Sequence, residues 1–264
     1  MNEFAYHRAA SVADAVERIA RAIDGRFLAG GQSLLATMKL GLATPTDLVD
    51  LSRMDGLSGI AVGDGTLRIG ATTPHATVAG SSEVLALIPA LARLADLIGD
   101  PAVRARGTLG GSIANNDPAA CWPAAVLGLG ATVHTDRRAI TADEFFTGLY
   151  ETALAPGELI VAVSFPIPQR AAWVKFRQPA SRFSLVGVFV SQGQAGLRVA
   201  VTGAGPCVFR CAPLESALTA DWSPAAARNV RIAPDRLNTD LHASASYRAH
   251  LIPVLAARAV AQAG

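Results

Sequence analysis

The sequence predicts an α+β protein, because segments with strand composition and segments with helical periodicity alternate along its 264 residues. Near the start, Ser11 and Asp14 have the spacing of a capping box, and apolar residues follow at helical spacing as far as Ile23. Farther along, Asp64-Gly65 separates two short apolar runs, which is a strong signal for a β-hairpin. These patterns predict a helix over 12–23 and paired strands over 60–62 and 67–69.

Shorter patterns predict the other elements of the first 168 residues. Strand composition is found at 27–29, 48–51, 131–133 and 158–163. One helix is predicted over 83–98, where Pro89 marks a kink or a later start, and another over 123–129. Asp100-Pro101 is interpreted as the break that ends the helix over 83–98, and Pro166-Ile167-Pro168 as the end of this part.

The remainder is predicted to be a hairpin-rich sheet followed by helices. Strands are expected over 173–176, 185–190 and 197–201, and helices over 213–218 and 243–262, the last kinked at Pro253. A chain of this length exceeds the usual size of one core, which favours two domains. We place the boundary near Gln169, which gives domains of 1–168 and 169–264.

Composition and charge argue against several classes of protein. An apolar content of 51% with a mean hydropathy of +0.33 indicates a well-buried globular chain. The net charge is +2, without a long basic run, which argues against nucleic acid as a main partner. No apolar stretch is long enough to span a bilayer, and the first residues lack the basic and apolar regions of a signal peptide. We therefore predict a cytoplasmic protein without an integral membrane segment.

The cysteines and histidines do not predict a metal centre. Three cysteines cannot supply the four thiolates of an iron–sulfur cluster, and Cys207 and Cys211 have no nearby histidine to complete a zinc site. None of the five histidines lies at metal-ligand spacing from another. We predict that the chain holds no metal of its own and interpret its cysteines as structural.

The most informative feature is a pair of glycine doublets in similar settings. Ala29-Gly30-Gly31-Gln32-Ser33 follows an apolar run, and Gly107-Thr108-Leu109-Gly110-Gly111-Ser112 follows a basic stretch. Glycine lets the backbone approach a ligand closely, and successive amides in such turns form an anion-binding nest. Two nests predict a diphosphate held from both sides, although each doublet alone is also typical of an ordinary tight turn.

Common nucleotide-binding and hydrolase motifs do not account for these doublets. No G-x-G-x-x-G lies between a strand and a helix, and Gly-Lys does not occur, so a Walker-type phosphate loop is excluded. The motifs H-E-x-x-H and G-x-S-x-G are also absent. The diphosphate is therefore expected in another nucleotide-binding architecture.

Three motifs together resemble one family. They are AGGQSL near the start, RGTLGGSIANNDPAACWPAAVLGLGATV in the middle and KFRQPASRFSLVGV in the second half. In this order the chain is similar to the FAD-binding subunit of molybdenum hydroxylases, which include carbon monoxide dehydrogenase (medium subunit) and bacterial xanthine dehydrogenase (flavin subunit). The resemblance implies a two-part FAD-binding domain of the vanillyl-alcohol oxidase / p-cresol methylhydroxylase type over 1–168, divided near 53. A smaller C-terminal α+β domain would cover 169–264.

The resemblance also implies which residues hold the diphosphate of FAD. One side would be formed by Ala29, Gly30, Gly31, Gln32, Ser33 and Leu34. The other side would be formed by Thr108, Leu109, Gly110, Gly111 and Ser112. Asp117 would accept hydrogen bonds from the adenosine ribose, or serve only as a turn residue before Pro118.

Further residues are expected near the flavin ring. Ile160 matches a position that packs beside the flavin in related enzymes, or is a plain core residue. Arg177, or else Lys175, matches a basic position that would stabilise the reduced flavin; the alternative is a solvated strand charge. Phe183 would cover one flavin face or belong to the core. Cys121 replaces a carboxylate that contacts the flavin end in many relatives, and the sequence shows no cation beside it that would activate the thiol.

The function implied is that of an FAD-carrying electron-transfer subunit. In the family, a large molybdenum-cofactor subunit oxidises the substrate and a small subunit carries [2Fe–2S] clusters. The flavin subunit passes the electrons to NAD+, oxygen or a quinone, and the complex is expected to be a dimer of heterotrimers. Two alternatives stay open. One is a free-standing FAD oxidoreductase similar to UDP-N-acetylenolpyruvoylglucosamine reductase, and the other is a cofactor-free assembly subunit.

Overall fold

A computed structural model describes residues 2–194 and 196–263 of the chain. Its helices are, in chain order, α1 (Val12–Arg21), α2 (Leu34–Lys39), α3 (His75–Gly80), α4 (Ser82–Leu87), α5 (Pro89–Asp96), α6 (Pro101–Arg106), α7 (Leu109–Asn115), α8 (Trp122–Leu129), α9 (Ala142–Phe145), α10 (Ala212–Ala220), α11 (Pro224–Asn229) and α12 (Ala245–Gln262).

The strands are β1 (Ala5–Arg8), β2 (Gly25–Leu28), β3 (Asp47–Asp50), β4 (Ile60–Gly63), β5 (Thr66–Gly70), β6 (Thr132–Thr135), β7 (Ala139–Thr141), β8 (Phe146–Gly148), β9 (Glu151–Thr152), β10 (Ile160–Pro166), β11 (Arg170–Arg177), β12 (Ser184–Gly193), β13 (Gly196–Thr202) and β14 (Phe209–Arg210). Helices and sheets are therefore both present throughout, and the predicted α+β class is confirmed.

A small parallel sheet in the order β1-β3-β2 begins the chain, with α1 connecting β1 to β2. The predicted first helix is confirmed as α1. The hydroxyl of Ser11 accepts from the amide of Asp14 at 3.1 Å, and the Asp14 carboxylate accepts from the amide of Ala10 at 2.9 Å. Strand β1 was not predicted, because the sequence AYHR has no alternation of apolar and polar residues.

An antiparallel sheet in the order β4-β5-β10-β6-β7 forms the next layer. The predicted hairpin is confirmed as β4 and β5. Asp64 and Gly65 both have positive φ, 51° and 69°, as a two-residue hairpin turn requires. Strand β10 begins at Ile160, two residues after the predicted start, and continues to Pro166.

Helices α4, α5 and α8 contribute to the apolar core beside this sheet. The single helix predicted over 83–98 is wrong in one respect: α4 and α5 are separate helices, because Ile88 leaves helical geometry and Pro89 starts a new one. The predicted helix does end before Asp100-Pro101, since α5 ends at Asp96, but the start of a further helix there was not predicted. Asp100 caps α6 by accepting from the amide of Val103 at 2.9 Å, and Pro101 is its first residue.

A third sheet, antiparallel in the order β11-β12-β13-β14, is covered on both faces. Along β12, Phe189 packs in the same apolar cluster as α8, whereas Val188 and Val190 pack in the cluster that includes α12. This alternation follows from the two-residue period of a strand. Helix α8 thus packs on strands beyond the predicted domain boundary near Gln169, and the division into 1–168 and 169–264 stays a prediction.

Candidate functional site

One cleft of about 540 Å³ brings the two glycine segments together. One wall comes from the loop between β2 and α2, and another from the turn between α6 and α7. Further lining residues come from the segment that leads into β10 and from the connection between β11 and β12, and others from shorter stretches such as the start of α3 and the segment before α8. The predicted site residues in this lining are Ala29, Gly30, Gly31, Gln32, Ser33, Leu34, Thr108, Gly110, Gly111, Ser112, Asp117 and Ile160.

The loop between β2 and α2 offers unpaired backbone donors to the cleft. In the described part of the chain, the amides of residues 30–33 donate to no protein acceptor. Gly31 has a φ of +72°, which side chains disfavour, and its carbonyl accepts from the amide of Leu35 in the first turn of α2. The side chains of Gln32 and Ser33 are exposed. Neighbouring amides of this kind suit an anionic group.

The second glycine segment is the N-terminus of a helix, and the prediction of a second open nest is wrong. The hydroxyl of Thr108 caps α7 by accepting from the amide of Gly111 at 3.2 Å. The amide of Gly110 donates to the carbonyl of Ala71 at 2.8 Å. The amides of Leu109 and Ser112, on either side of the two glycines, are also bonded within the protein. What this segment presents to the cleft is therefore the hydroxyls of Thr108 and Ser112.

Two of the glycines are needed for contacts within the protein. A Cβ on Gly30 would overlap the carbonyl oxygen of Arg106 and lie 2.8 Å from the Cα of Gly107. A Cβ on Gly110 would lie 2.6 Å from the Cβ of Ala71. The glycines let backbone pack on backbone at these points, and this packing holds the two walls of the cleft together.

Leu109 and Arg177 are the predicted site residues that the structure does not bring to the cleft. Leu109 is fully buried in the apolar core. Arg177 is exposed at the end of β11, where the strand pairing shifts between Phe176 and Arg177. The residue left unpaired at this shift is Leu185 of β12, and Arg177 does not belong to the cleft lining. Lys175, the alternative to Arg177, lines the cleft.

Lys175 provides the cation that the sequence does not show beside Cys121. Its ammonium donates to the carbonyls of Leu97 and Arg182 at 2.7 and 2.8 Å and lies 3.4 Å from the sulfur of Cys121. These contacts join residues that are far apart in sequence, which is why no local pattern indicates them.

Phe183 also lines the cleft, and 47% of its surface is exposed. The core position that the sequence leaves open for it is therefore ruled out.

Asp117 has the turn role that the sequence leaves open, and it also lies at the cleft. Its carboxylate accepts from the amide of Ala119 at 2.8 Å, as a turn residue does, and from the hydroxyl of Tyr150 at 3.2 Å. The residue also lines the cleft. The turn role is observed, and a contact with a ribose stays a prediction.

Glu158 is a site residue that sequence reasoning missed. Its buried carboxylate accepts from the guanidinium of Arg138 at 2.9 and 3.0 Å, the hydroxyl of Thr135 at 2.7 Å and the amide of Ala155 at 2.8 Å. Hydrogen bonding to Arg138 is the main cause that lowers the pKa of Glu158 to about 2. These bonds fix the segment that carries Leu159 and Ile160 into the cleft.

The lining fits a flavin dinucleotide chemically. The unpaired amides of residues 30–33 suit a diphosphate, and the apolar side chains of Ile98, Ile160 and Phe183 suit a planar ring. A volume of about 540 Å³ is in the range of cofactor sites. Across residues 2–194 and 196–263 there is no group of three or more His, Cys, Asp or Glu side chains that could hold a metal ion.

Comparison with known proteins gives a consistent answer. The family described as "FAD binding domain in molybdopterin dehydrogenase" matches residues 2–168. The chain is 35% identical to the nicotine 6-hydroxylase medium subunit of Paenarthrobacter nicotinovorans, over 98% of this chain and 96% of that one. It is 36% identical to the carbon monoxide dehydrogenase medium chain of Hydrogenophaga pseudoflava, over 78% of this chain and 77% of that one.

A solved structure agrees with these relatives. Carbon monoxide dehydrogenase from Hydrogenophaga pseudoflava, in a form that lacks the Mo-pyranopterin moiety of the molybdenum cofactor, superposes with a TM-score of 0.89 and 33% identity. The match covers 98% of this chain and 96% of that one. The chain therefore belongs to the family of FAD-binding domains of molybdopterin dehydrogenases. The resemblance seen in the motifs is confirmed, and with it FAD as the cofactor and the oxidoreductase class.

No helix in the described residues is long and apolar enough to cross a membrane.

Proposed function

We propose that this chain is the electron-transfer subunit of a molybdenum hydroxylase complex. It would bind one FAD without a covalent bond, receive electrons from [2Fe–2S] clusters of a small partner subunit, and pass them to NAD+, oxygen or a quinone. The observation that carries the proposal is the cleft in which the unpaired amides of residues 30–33 meet the capped start of α7. Bound FAD would supply the ability to accept electrons singly and release them in pairs.

The residues of the cleft support a division of tasks. The loop of Gly30, Gly31, Gln32 and Ser33 would hold the diphosphate through its amides, and the hydroxyls of the α7 start would add donors. Asp117 would accept from the ribose, as acidic residues do in other dinucleotide sites.

The flavin ring would meet a different set of side chains. Ile160 would pack beside it and Phe183 would limit access to it, because both line the cleft with apolar surface. Lys175 would take the role expected of Arg177, since its ammonium is held in the lining by two carbonyls. A cation there stabilises a flavin that has gained negative charge on reduction.

The assembly is proposed from the relatives' names. They are called medium subunit and medium chain, which supports a complex with a large molybdenum-cofactor subunit and a small [2Fe–2S] subunit. We extend this to a dimer of heterotrimers. The cytoplasmic location stays a prediction from the sequence.

Purification of the full chain, alone and with its partners, tests the proposal. The chain alone should be yellow, release all of its flavin as FAD on acid precipitation, and oxidise none of carbon monoxide, xanthine, N-heterocycles or aldehydes. Affinity purification from the source cells should bring along two further chains that contain molybdenum and iron–sulfur clusters. One of these substrates should then bleach the flavin absorbance. A colourless chain would favour an assembly subunit, and substrate turnover by the chain alone would favour a free-standing flavoenzyme.

A further inference from the structure

His75 is a buried histidine in the wall of the cleft to which the proposed function gives no role. It is the first residue of α3, its surface is 4% exposed, and it belongs to the cleft lining. Its backbone amide donates to the carbonyl of Gly107 at 2.9 Å. The histidine therefore lies against the turn that leads into the second glycine segment.

Trp122 determines which ring nitrogen of His75 carries the proton. The indole Nε1 of Trp122 lies 3.0 Å from Nδ1 of His75, and an indole nitrogen can only donate. Nδ1 must therefore accept, and the neutral ring carries its hydrogen on Nε2. Burial, with a smaller contribution from Arg104, lowers the pKa of His75 to about 4, so the ring is neutral at pH 7.

Within the described residues, the Nε2 hydrogen of His75 has no acceptor. Across the described residues, the hydrogen bond of this side chain is the one from Trp122. In that part of the chain, two side-chain nitrogens are fully enclosed and lack a hydrogen-bond partner, Trp173 Nε1 and Arg248 Nε. Nε2 of His75 is not one of them, so it is not sealed in the core. A Cβ on Gly107 would lie 2.8 Å from Nε2, so this glycine leaves the nitrogen room.

A donor on a buried side chain at the wall of a cleft, left without an acceptor by the described residues, favours a ligand that supplies one. We propose that His75 is a further cofactor-binding residue, which donates from Nε2 to an acceptor oxygen or nitrogen of bound FAD. The proposal rests on the proposed function in that FAD occupies this cleft. Trp122 acts as a positioning residue, because its indole keeps the histidine in the donating tautomer.

Nuclear magnetic resonance of the full chain tests this directly. In protein labelled with ¹⁵N-histidine, spectra at pH 7 should show His75 neutral with its proton on Nε2, and the His75→Gln variant identifies its signals. Loading with FAD should shift the Nε2 resonance and leave Nδ1 in place. ADP and FMN, added separately, show which half of the dinucleotide provides the acceptor, and a shift with either supports the proposal.

A pair of variants gives a second readout. His75→Gln keeps a donor at the end of the side chain and His75→Met does not, so FAD should bind roughly tenfold more weakly to the methionine variant than to the glutamine variant. Equal affinities, together with FAD binding that leaves the His75 signals unchanged, would overturn the histidine's role and leave the proposed function standing. A proton on Nδ1, or a charged ring at pH 7, would also overturn it. Failure of the wild-type chain to bind FAD would overturn both.

Discussion

The carbonyl oxygen of Arg106 fills the space that a Cβ on Gly30 would need. This single contact joins the loop after β2 to the end of α6, and so it connects the two glycine segments, which are more than seventy residues apart in sequence. A glycine that looks like a phosphate contact in sequence is thus a packing residue in the fold. The amides around it remain available for an anion.

Gly30→Ala should therefore destabilise the protein itself. The added methyl group overlaps backbone, which cannot rotate away as a side chain would, so we expect a loss of about 2 kcal/mol or more in the free energy of unfolding. Gly63→Ala is the matched control, because a Cβ there meets nothing within 4 Å and should change stability by less than about 0.5 kcal/mol. Urea unfolding followed by circular dichroism measures both. Equal midpoints for the two variants would contradict the packing role of Gly30.

Gln32→Glu should weaken FAD binding without disturbing the fold. Gln32 is exposed in the loop with unpaired amides, and the substitution adds a negative charge to a side chain of nearly the same shape. Repulsion by the diphosphate should raise the Kd for FAD about tenfold, which corresponds to about 1.4 kcal/mol. Titration of flavin fluorescence measures this, and 0.5 M salt should reduce the effect.

The neutral variant Gln32→Met separates charge from the loss of the side-chain hydrogen bond. In the wild type, the side-chain amide of Gln32 donates to the carbonyl of Gly30 at 3.2 Å within the same loop. We expect the methionine variant to bind FAD within about threefold of the wild type, since a hydrogen bond of this exposed kind contributes little. If the glutamate and methionine variants bind FAD equally well, the diphosphate does not lie at this loop.

Local sequence patterns were sufficient for much of the fold. Helix α1, with its Ser11 cap, and the hairpin around Asp64-Gly65 were predicted because each is specified by residues within a few positions of one another. The prolines were interpreted correctly only in part. Helical segments do end before Pro89 and before Pro101, but the sequence did not show that Pro101 also starts a helix, because proline both interrupts helices and is a favoured first residue.

The site was predicted less completely than the fold. The two glycine segments identified the cleft, yet the sequence could not show that Gly110 packs on Ala71 or that the amides of α7 are already bonded. His75 was missed, and Lys175 was predicted only as the alternative to Arg177, for a related reason. Their partners, Cys121 and Trp122, lie far away in sequence and adjacent to each other, and only the packing of α8 brings these partners into contact with Lys175 and His75.

Lys175→Met should lower the reduction potential of the bound flavin. The lysine ammonium lies in the cleft lining, so its removal takes away a charge that stabilises the reduced cofactor. We expect a decrease of roughly 30 mV, the equivalent of about 1.4 kcal/mol for a two-electron couple. Arg177→Met is the matched control and should shift the potential by less than about 10 mV, because its side chain is exposed outside the lining. A dye-equilibrated titration of the full chain measures both, and a larger shift in the Arg177 variant would return the role to that residue.

Glu158→Gln should destabilise the protein at pH 7, and the difference should shrink as the pH falls toward 2. The pKa of Glu158 is about 2 in the folded chain and near 4.5 when unpaired, so its carboxylate stabilises the fold above pH 4.5 and loses this effect as the pH falls toward 2. We expect the variant to lose roughly 1–3 kcal/mol in the free energy of unfolding at pH 7. The low end of this range is expected because half of the Arg138 side chain is exposed to solvent. Glu17→Gln, which removes one partner of an exposed ion pair with Arg21, should change stability by less than about 0.5 kcal/mol at either pH. Urea unfolding at pH 7 and pH 3 measures the two variants. A Glu158 variant whose deficit at pH 3 equals that at pH 7 would show that the loss is one of packing rather than of charge.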